Sequence, residues 1–194
     1  MNPITRLMLA AIATSLIAAS NVDAHAPNKG ASGNAHVVPH PPTDGASVAT
    51  WCAMHMARRE FDDALTDCNF AVAENLTNAV ALSNRGSLFL VVGDAGKALA
   101  DFEAAVRLKP QDATLYFNRG LANAALGSRD AAISDYTEAI RLKPDLAIAY
   151  HNRGYEHEVS GRRDQAIADY RRALEIAPRL QPPRQALKRL TGDL

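Results

Sequence analysis

Small and large apolar residues in this chain fall into paired blocks, separated by glycine and ended by proline. Between Ala113 and Leu146 (ATLYFNRGLANAALGSRDAAISDYTEAIRLKPDL) two such blocks stand back to back. The first covers Ala113–Leu126. Asp112 can cap its start by accepting from free backbone N–H groups, and Gly127 follows its end, where a left-handed residue is cheapest as glycine. The second runs from about Arg129 to Lys143, and Pro144 prevents its continuation. The pattern predicts two antiparallel helices, A and B, joined by a short turn. The same pattern occupies Ala79–Asp112 and Ala147–Leu180, with N-R-G, Gly, Ala, D-[FY], Ala and Pro in register and no gap between one unit and the next.

Within each pair, Gly120 and Ala132 carry almost no side chain, so two backbones can approach while Tyr136 and Ala139 pack across the gap. Gly86, Ala98, Phe102 and Ala105 repeat the set, as do Gly154, Ala166, Tyr170 and Ala173. This small–large alternation, recurring at a constant spacing of about 34 residues, resembles the tetratricopeptide repeat family. The N-R-G marks a bacterial-type subtype of it. The resemblance covers about Ala46 to Leu180. It implies an all-α solenoid of stacked antiparallel helix pairs, with three clear repeats (79–112, 113–146 and 147–180). One departure is consistent: Arg85, Arg119 and Arg153 stand where the family usually has a large apolar residue before the helix A glycine. Asp101, Asp135 and Asp169 each follow sixteen residues later on helix B. An antiparallel hairpin predicts three ion pairs, Arg85–Asp101, Arg119–Asp135 and Arg153–Asp169, with directional guanidinium–carboxylate geometry fixing the register.

The solenoid's ends are atypical, as terminal repeats are expected to be. A degenerate first repeat is expected over 45–78. Ala64, Leu65, Asp67, Cys68 and Ala71 keep the helix B register, Asp44 is a plausible cap for helix A, and Leu76 replaces the proline. Trp51 and Cys52 replace the Arg-Gly pair, which leaves Asp67 without its arginine. Cys52 and Cys68 face one another across this hairpin; either they stay as buried thiols or they form a disulfide. The disulfide would close a loop of about 17 residues, worth roughly 3 kcal/mol. At the other end Gln181–Leu190, within a cap helix over 181–191, covers the last hydrophobic face. Leu187 and Leu190 point inward there, and Arg184, Lys188 and Arg189 face water.

The resemblance also implies that helix A lines a concave groove. Asn84, Asn118 and Asn152 recur there at one repeat spacing. Amides carry both donor and acceptor groups, and similar ladders in the family hold the backbone of an extended peptide. The alternative is that asparagine before Arg-Gly fixes local helix packing. Phe117, Leu121, Tyr155 and Leu90 form an apolar strip beside the ladder, which marks a partner site, unless the linker folds back over it. His151 joins the same face. The family's carboxylate clamp needs groove lysines and an arginine; here the positions are Ser, Phe and His, so a C-terminal carboxylate is not the expected ligand.

Composition narrows the rest. Twenty-one Lys and Arg balance twenty-one Asp and Glu, which argues against nonspecific nucleic-acid binding. Met1–Ala24 reads as a secretory signal: a basic start at Met1–Arg6, an apolar run Leu7–Ala19, and Val22-Asp23-Ala24 before the cut. Cleavage after Ala24 is expected over cleavage after Ala26, and over a retained anchor, because the run is short of the about 20 residues a membrane span needs. The mature protein is then secreted or periplasmic, with no membrane insertion. His25–Ser47 is dense in Pro, Gly and small polar residues, and 25–44 reads as a disordered linker ahead of a 45–194 repeat domain. His25, His36 and His40 in it could bind copper in a mature chain beginning at His25. No nucleophile elbow, HExxH or phosphate loop occurs. His151 and His157 are six residues apart and do not share a helix face at metal spacing. The function expected is a protein or peptide interaction module without catalytic residues, metal or cofactor; a self-assembling scaffold is the alternative.

Overall fold

Each unit closes into one helix pair because its ends are chemically marked. The Asn78 side chain accepts from the Val80 and Ala81 amides, and Asp112 accepts from the Thr114 amide at 2.9 Å. These caps satisfy donors that a helix start leaves free. The turn inside a unit places Gly127 at a φ of 77°, with Gly93 and Gly161 equivalent; a side chain at that φ would be strained.

The computed structural model describes residues 45–192. The signal segment, the linker with its three histidines, and Asp44 lie outside the described residues. In chain order the helices are α1 (Gly45–Arg58), α2 (Phe61–Glu74), α3 (Ala79–Val92), α4 (Ala95–Leu108), α5 (Ala113–Ala125), α6 (Arg129–Leu142), α7 (Ala147–Val159), α8 (Arg163–Ile176) and α9 (Gln181–Thr191), with no strand among the described residues. They form an α-solenoid. Helices α1/α2, α3/α4, α5/α6 and α7/α8 are hairpins, each B helix packs on the next A helix, and α9 closes against α8. The A helices also meet directly, α1 with α3 and α3 with α5.

The glycine of each N-R-G sets the depth of the hairpin. A Cβ on Gly120 would stand 2.6 Å from the Tyr136 ring, and one on Gly86 2.9 Å from Phe102. The aromatic ring fills the space the missing side chain leaves, and Phe102, Tyr136 and Tyr170 are among the most completely buried side chains. A central core runs through the last three repeats and holds Phe102, Phe117, Leu121 and Tyr136. Val48, Ala49, Val72, Leu82 and Leu115 fill the seam between the first repeats. Ala166 and Tyr170 meet Ala186 and Leu187 of α9 at the far end.

The first repeat is built differently. Cys52 and Cys68 are joined by a disulfide with their Cα atoms 5.1 Å apart, and both are fully buried. They occupy the two positions that glycine and aromatic residue hold in every other repeat. Arg59, at a φ of 65°, takes the turn position where the others have glycine. Leu76, in the proline position, is left exposed.

Candidate functional site

Antiparallel hairpins bring position 7 of helix A level with position 23 of helix B, and the three arginines use this. Arg85 donates to both Asp101 oxygens at 2.8 and 2.7 Å, and Arg153 to Asp169 at 2.9 and 2.7 Å. Arg119 reaches Asp135 through Nε at 3.1 Å and Nη2 at 2.6 Å. These bonds hold all three guanidinium pKa values above their ordinary level against the opposing effect of burial. Each arginine also faces an aromatic ring, Arg119 at 5.4 Å from Tyr116 and Arg153 at 5.6 Å from Tyr150.

The arginines do more than close their own hairpins. Arg85 Nη1 donates to Asn69 Oδ1 at 3.3 Å, and Arg153 Nη1 to Thr137 Oγ1 at 3.1 Å. Asn69 and Thr137 lie on helix B of the preceding repeat, so the same side chain stitches neighbouring repeats together. The fourth aspartate has a substitute partner. The sequence leaves Asp67 without an arginine, yet His55 Nδ1 lies 2.7 Å from its carboxylate, both groups being largely buried. The offset is twelve residues, the same as that of Asn123, which donates to Asp135 at 2.9 Å. His157 stands 4.0 Å from Asp169 at that offset too.

The asparagines turn toward neighbouring repeats. Asn84 Nδ2 donates to the Ala49 carbonyl of α1 at 2.9 Å. Asn118 is buried and directs Nδ2 at Ser83 Oγ of α3, 3.4 Å away. The Asn152 amide lies close to the Tyr136 hydroxyl of α6, whose pKa is driven up by burial, with that amide opposing the rise. These groups are therefore engaged between repeats, the packing alternative raised by the sequence. Asn84 and Asn152 stay partly exposed; Asn118 does not.

The apolar strip is corrected in the same way. Leu90, Phe117 and Leu121 are all buried and share one cluster, and only Tyr155 of that set is partly exposed. Adjacent A helices touch, so their large side chains are spent on one another. Exposed aliphatic groups appear instead one turn further along. Val92 and Val159 end α3 and α7, and Leu126 follows α5; each is about half exposed. The sequence signal was the position itself, the last apolar residue before each turn glycine.

Two acidic groups of α7 take structural partners. Glu158 accepts from the Tyr170 hydroxyl at 2.7 Å and from Arg189 Nη2 at 2.6 Å, so Arg189 clasps α9 to α7 rather than only facing water. Glu156 is buried, 3.9 Å from Arg129, and its pKa is raised by burial. Among the described residues no group of His, Cys, Asp and Glu could hold a metal ion, and no helix is long and apolar enough to cross a membrane.

His151 is buried against the Tyr170 ring, 5.6 Å between centroids, and its Nδ1 has no partner. Burial pushes its pKa down to about 4, with Glu158 pulling weakly the other way. A depressed pKa means the unfolded chain takes the proton first, so stability present above pH 6.5 is lost as pH falls toward 4. The loss should reach about 3 kcal/mol. His151→Phe, which copies Phe117 one repeat earlier, should flatten the profile over this window relative to wild type in urea melts. Parallel profiles would show that His151 is not the group responsible.

A tetratricopeptide repeat model matches residues 55–113 and 83–147, and a second matches 147–180. No curated protein sequence matches the chain. Among solved structures, MamA is similar over 73% of this chain and 82% of its own, at 23% identity and a TM-score of 0.68. A thermophilic TPR protein of Thermus thermophilus covers 77% and 82% at 24% identity and a TM-score of 0.67. The first TPR of Spaghetti, bound to an HSP90 peptide, covers 59% and 90% at 24% identity and a TM-score of 0.57. With the repeat model spanning residues 55–180 and the stacked hairpins in place, the chain belongs to the tetratricopeptide repeat family.

Proposed function

We propose that this protein is an interaction module that takes an extended segment of a partner protein across successive A helices. The observation that carries this reading is an exposed aliphatic side chain at the end of each of three consecutive A helices, Val92 and Leu126 at the same position and Val159 one residue earlier in its repeat. Packed helices lie about 8–10 Å apart, and an extended chain advances roughly 3.3 Å per residue. A partner segment with apolar residues about three apart therefore meets about one of these side chains per repeat. Tyr155, one turn before Val159 and partly exposed, supplies a polar contact beside it. The Spaghetti neighbour is bound to an HSP90 peptide, so this fold accommodates a peptide guest in that protein. The positions of the family's basic clamp hold Ser83, Phe117 and His151 here, so the guest is read along its length rather than by its carboxylate.

We place the protein outside the cytoplasm, secreted or periplasmic. The signal-like segment Met1–Ala24 supports this, and so does a disulfide, which persists in oxidising compartments. Panning a random-peptide library on the full chain should enrich aliphatic or aromatic residues three apart. Val92→Asp, Leu126→Asp and Val159→Asp together should weaken the selected peptides at least tenfold with helicity unchanged. Equal binding by the triple variant would count decisively against this surface.

A further inference from the structure

The first repeat lacks three devices found in each of the other three: the turn glycine, the bidentate arginine and the glycine–aromatic pair. Its turn residue is Arg59 in the left-handed region, where the others use glycine, a strained conformation for a residue with a side chain. His55 replaces the bidentate arginine beside Asp67. Cys68 stands where the others carry the aromatic ring, with Phe61 packed at the edge of the cluster. The Cys52–Cys68 bond sits between the two helices, surrounded by Met56, Ala64 and Leu88. In a solenoid each repeat is held by its own stability and its contacts with neighbours. A terminal unit has one neighbour, so its own clasp decides whether it is folded.

From this we infer that the N-terminal repeat is a redox-conditional element: α1 and α2 complete the solenoid when Cys52 and Cys68 are joined, and open locally when they are reduced. The oxidant is a disulfide-bearing partner such as a thiol–disulfide oxidoreductase. One cysteine thiolate attacks that disulfide and displaces the first thiol. The second cysteine then attacks the mixed disulfide and releases the other thiol. Two electrons and two protons pass to the oxidant, and one Sγ–Sγ bond forms. Both cysteines are fully buried in the closed hairpin, so exchange in either direction requires the hairpin to open first. Opening uncovers Leu82 and Leu88 of α3, both buried in the closed form.

Hydrogen exchange of the full chain, with and without dithiothreitol, tests this. Reduction should speed exchange in 45–74 by roughly a hundredfold, the effect of losing a link of this span. Exchange in α5–α8 should change less than twofold. Cys52→Ser with Cys68→Ser should match the reduced chain whether or not reductant is present. Unchanged exchange in α1 and α2 on reduction, or equal acceleration across all four repeats, would overturn the inference. A Ser/Ser variant as protected as the oxidised chain would do the same.

Discussion

Tyr136→Ala should destabilise the repeat domain by about 4 kcal/mol, the cost of emptying a large aromatic site in a close-packed core. Tyr136 is almost completely buried. Its ring fills the space above Gly120, where a Cβ would come within 2.6 Å, and it tilts against Phe117 at 5.8 Å between centroids. Alanine empties the space over Gly120 that the ring alone fills. Tyr136→Phe separates packing from polarity. It keeps the ring and loses only the hydroxyl beside the Asn152 amide, which should cost about 1 kcal/mol. Urea melts followed by helicity report both. An alanine variant that melts with wild type would mean that the Gly–aromatic contact is not what clasps the hairpin.

Arg119→Ala should cost about 3 kcal/mol, at the low end for breaking a buried ion pair. The side chain of Asp135 is 5% exposed and that of Arg119 26%, so it is the carboxylate that is stranded. Asn123 still donates to it, which keeps the loss below the upper range. The outer face of Arg119 also lies over Tyr116, so packing is lost along with charge. Adding Asp135→Asn to Arg119→Ala should recover part of the loss, because the uncompensated charge goes with it. The double-mutant cycle measures that recovery directly. Strict additivity of the two single changes would refute the stranded-carboxylate account.

The hairpins were legible because their causes are local. A capping side chain, a glycine at the turn, and a proline after helix B each act within one unit of sequence. The Arg–Asp offset of sixteen was legible for the same reason: an antiparallel pair with fixed ends can align only one way. What could not be read was the fate of the helix A face. Phe117 and Leu121 lie on the face of helix A that the family lines its groove with, yet they join Tyr136 and residues of neighbouring repeats in one buried cluster. The asparagine ladder misled for that reason too, since its partners Ala49 and Ser83 each lie thirty-five residues upstream in another repeat. His55 was missed through attention to a single offset. The second one, twelve residues, joins His55 to Asp67 and Asn123 to Asp135, and position 11 is polar in three of the four repeats, Phe89 being the exception.

The arginine that crosses to the hairpin before it, in the second and fourth repeats, makes those two seams alike. Arg85 finds Asn69 and Arg153 finds Thr137 at the same separation of sixteen residues. A copy inserted or excised as a whole period leaves such a join facing a side chain at the matching place. Repeat number is thus free to drift in such a lineage, while the disulfide-bonded front and the Arg189-clasped rear must travel unchanged.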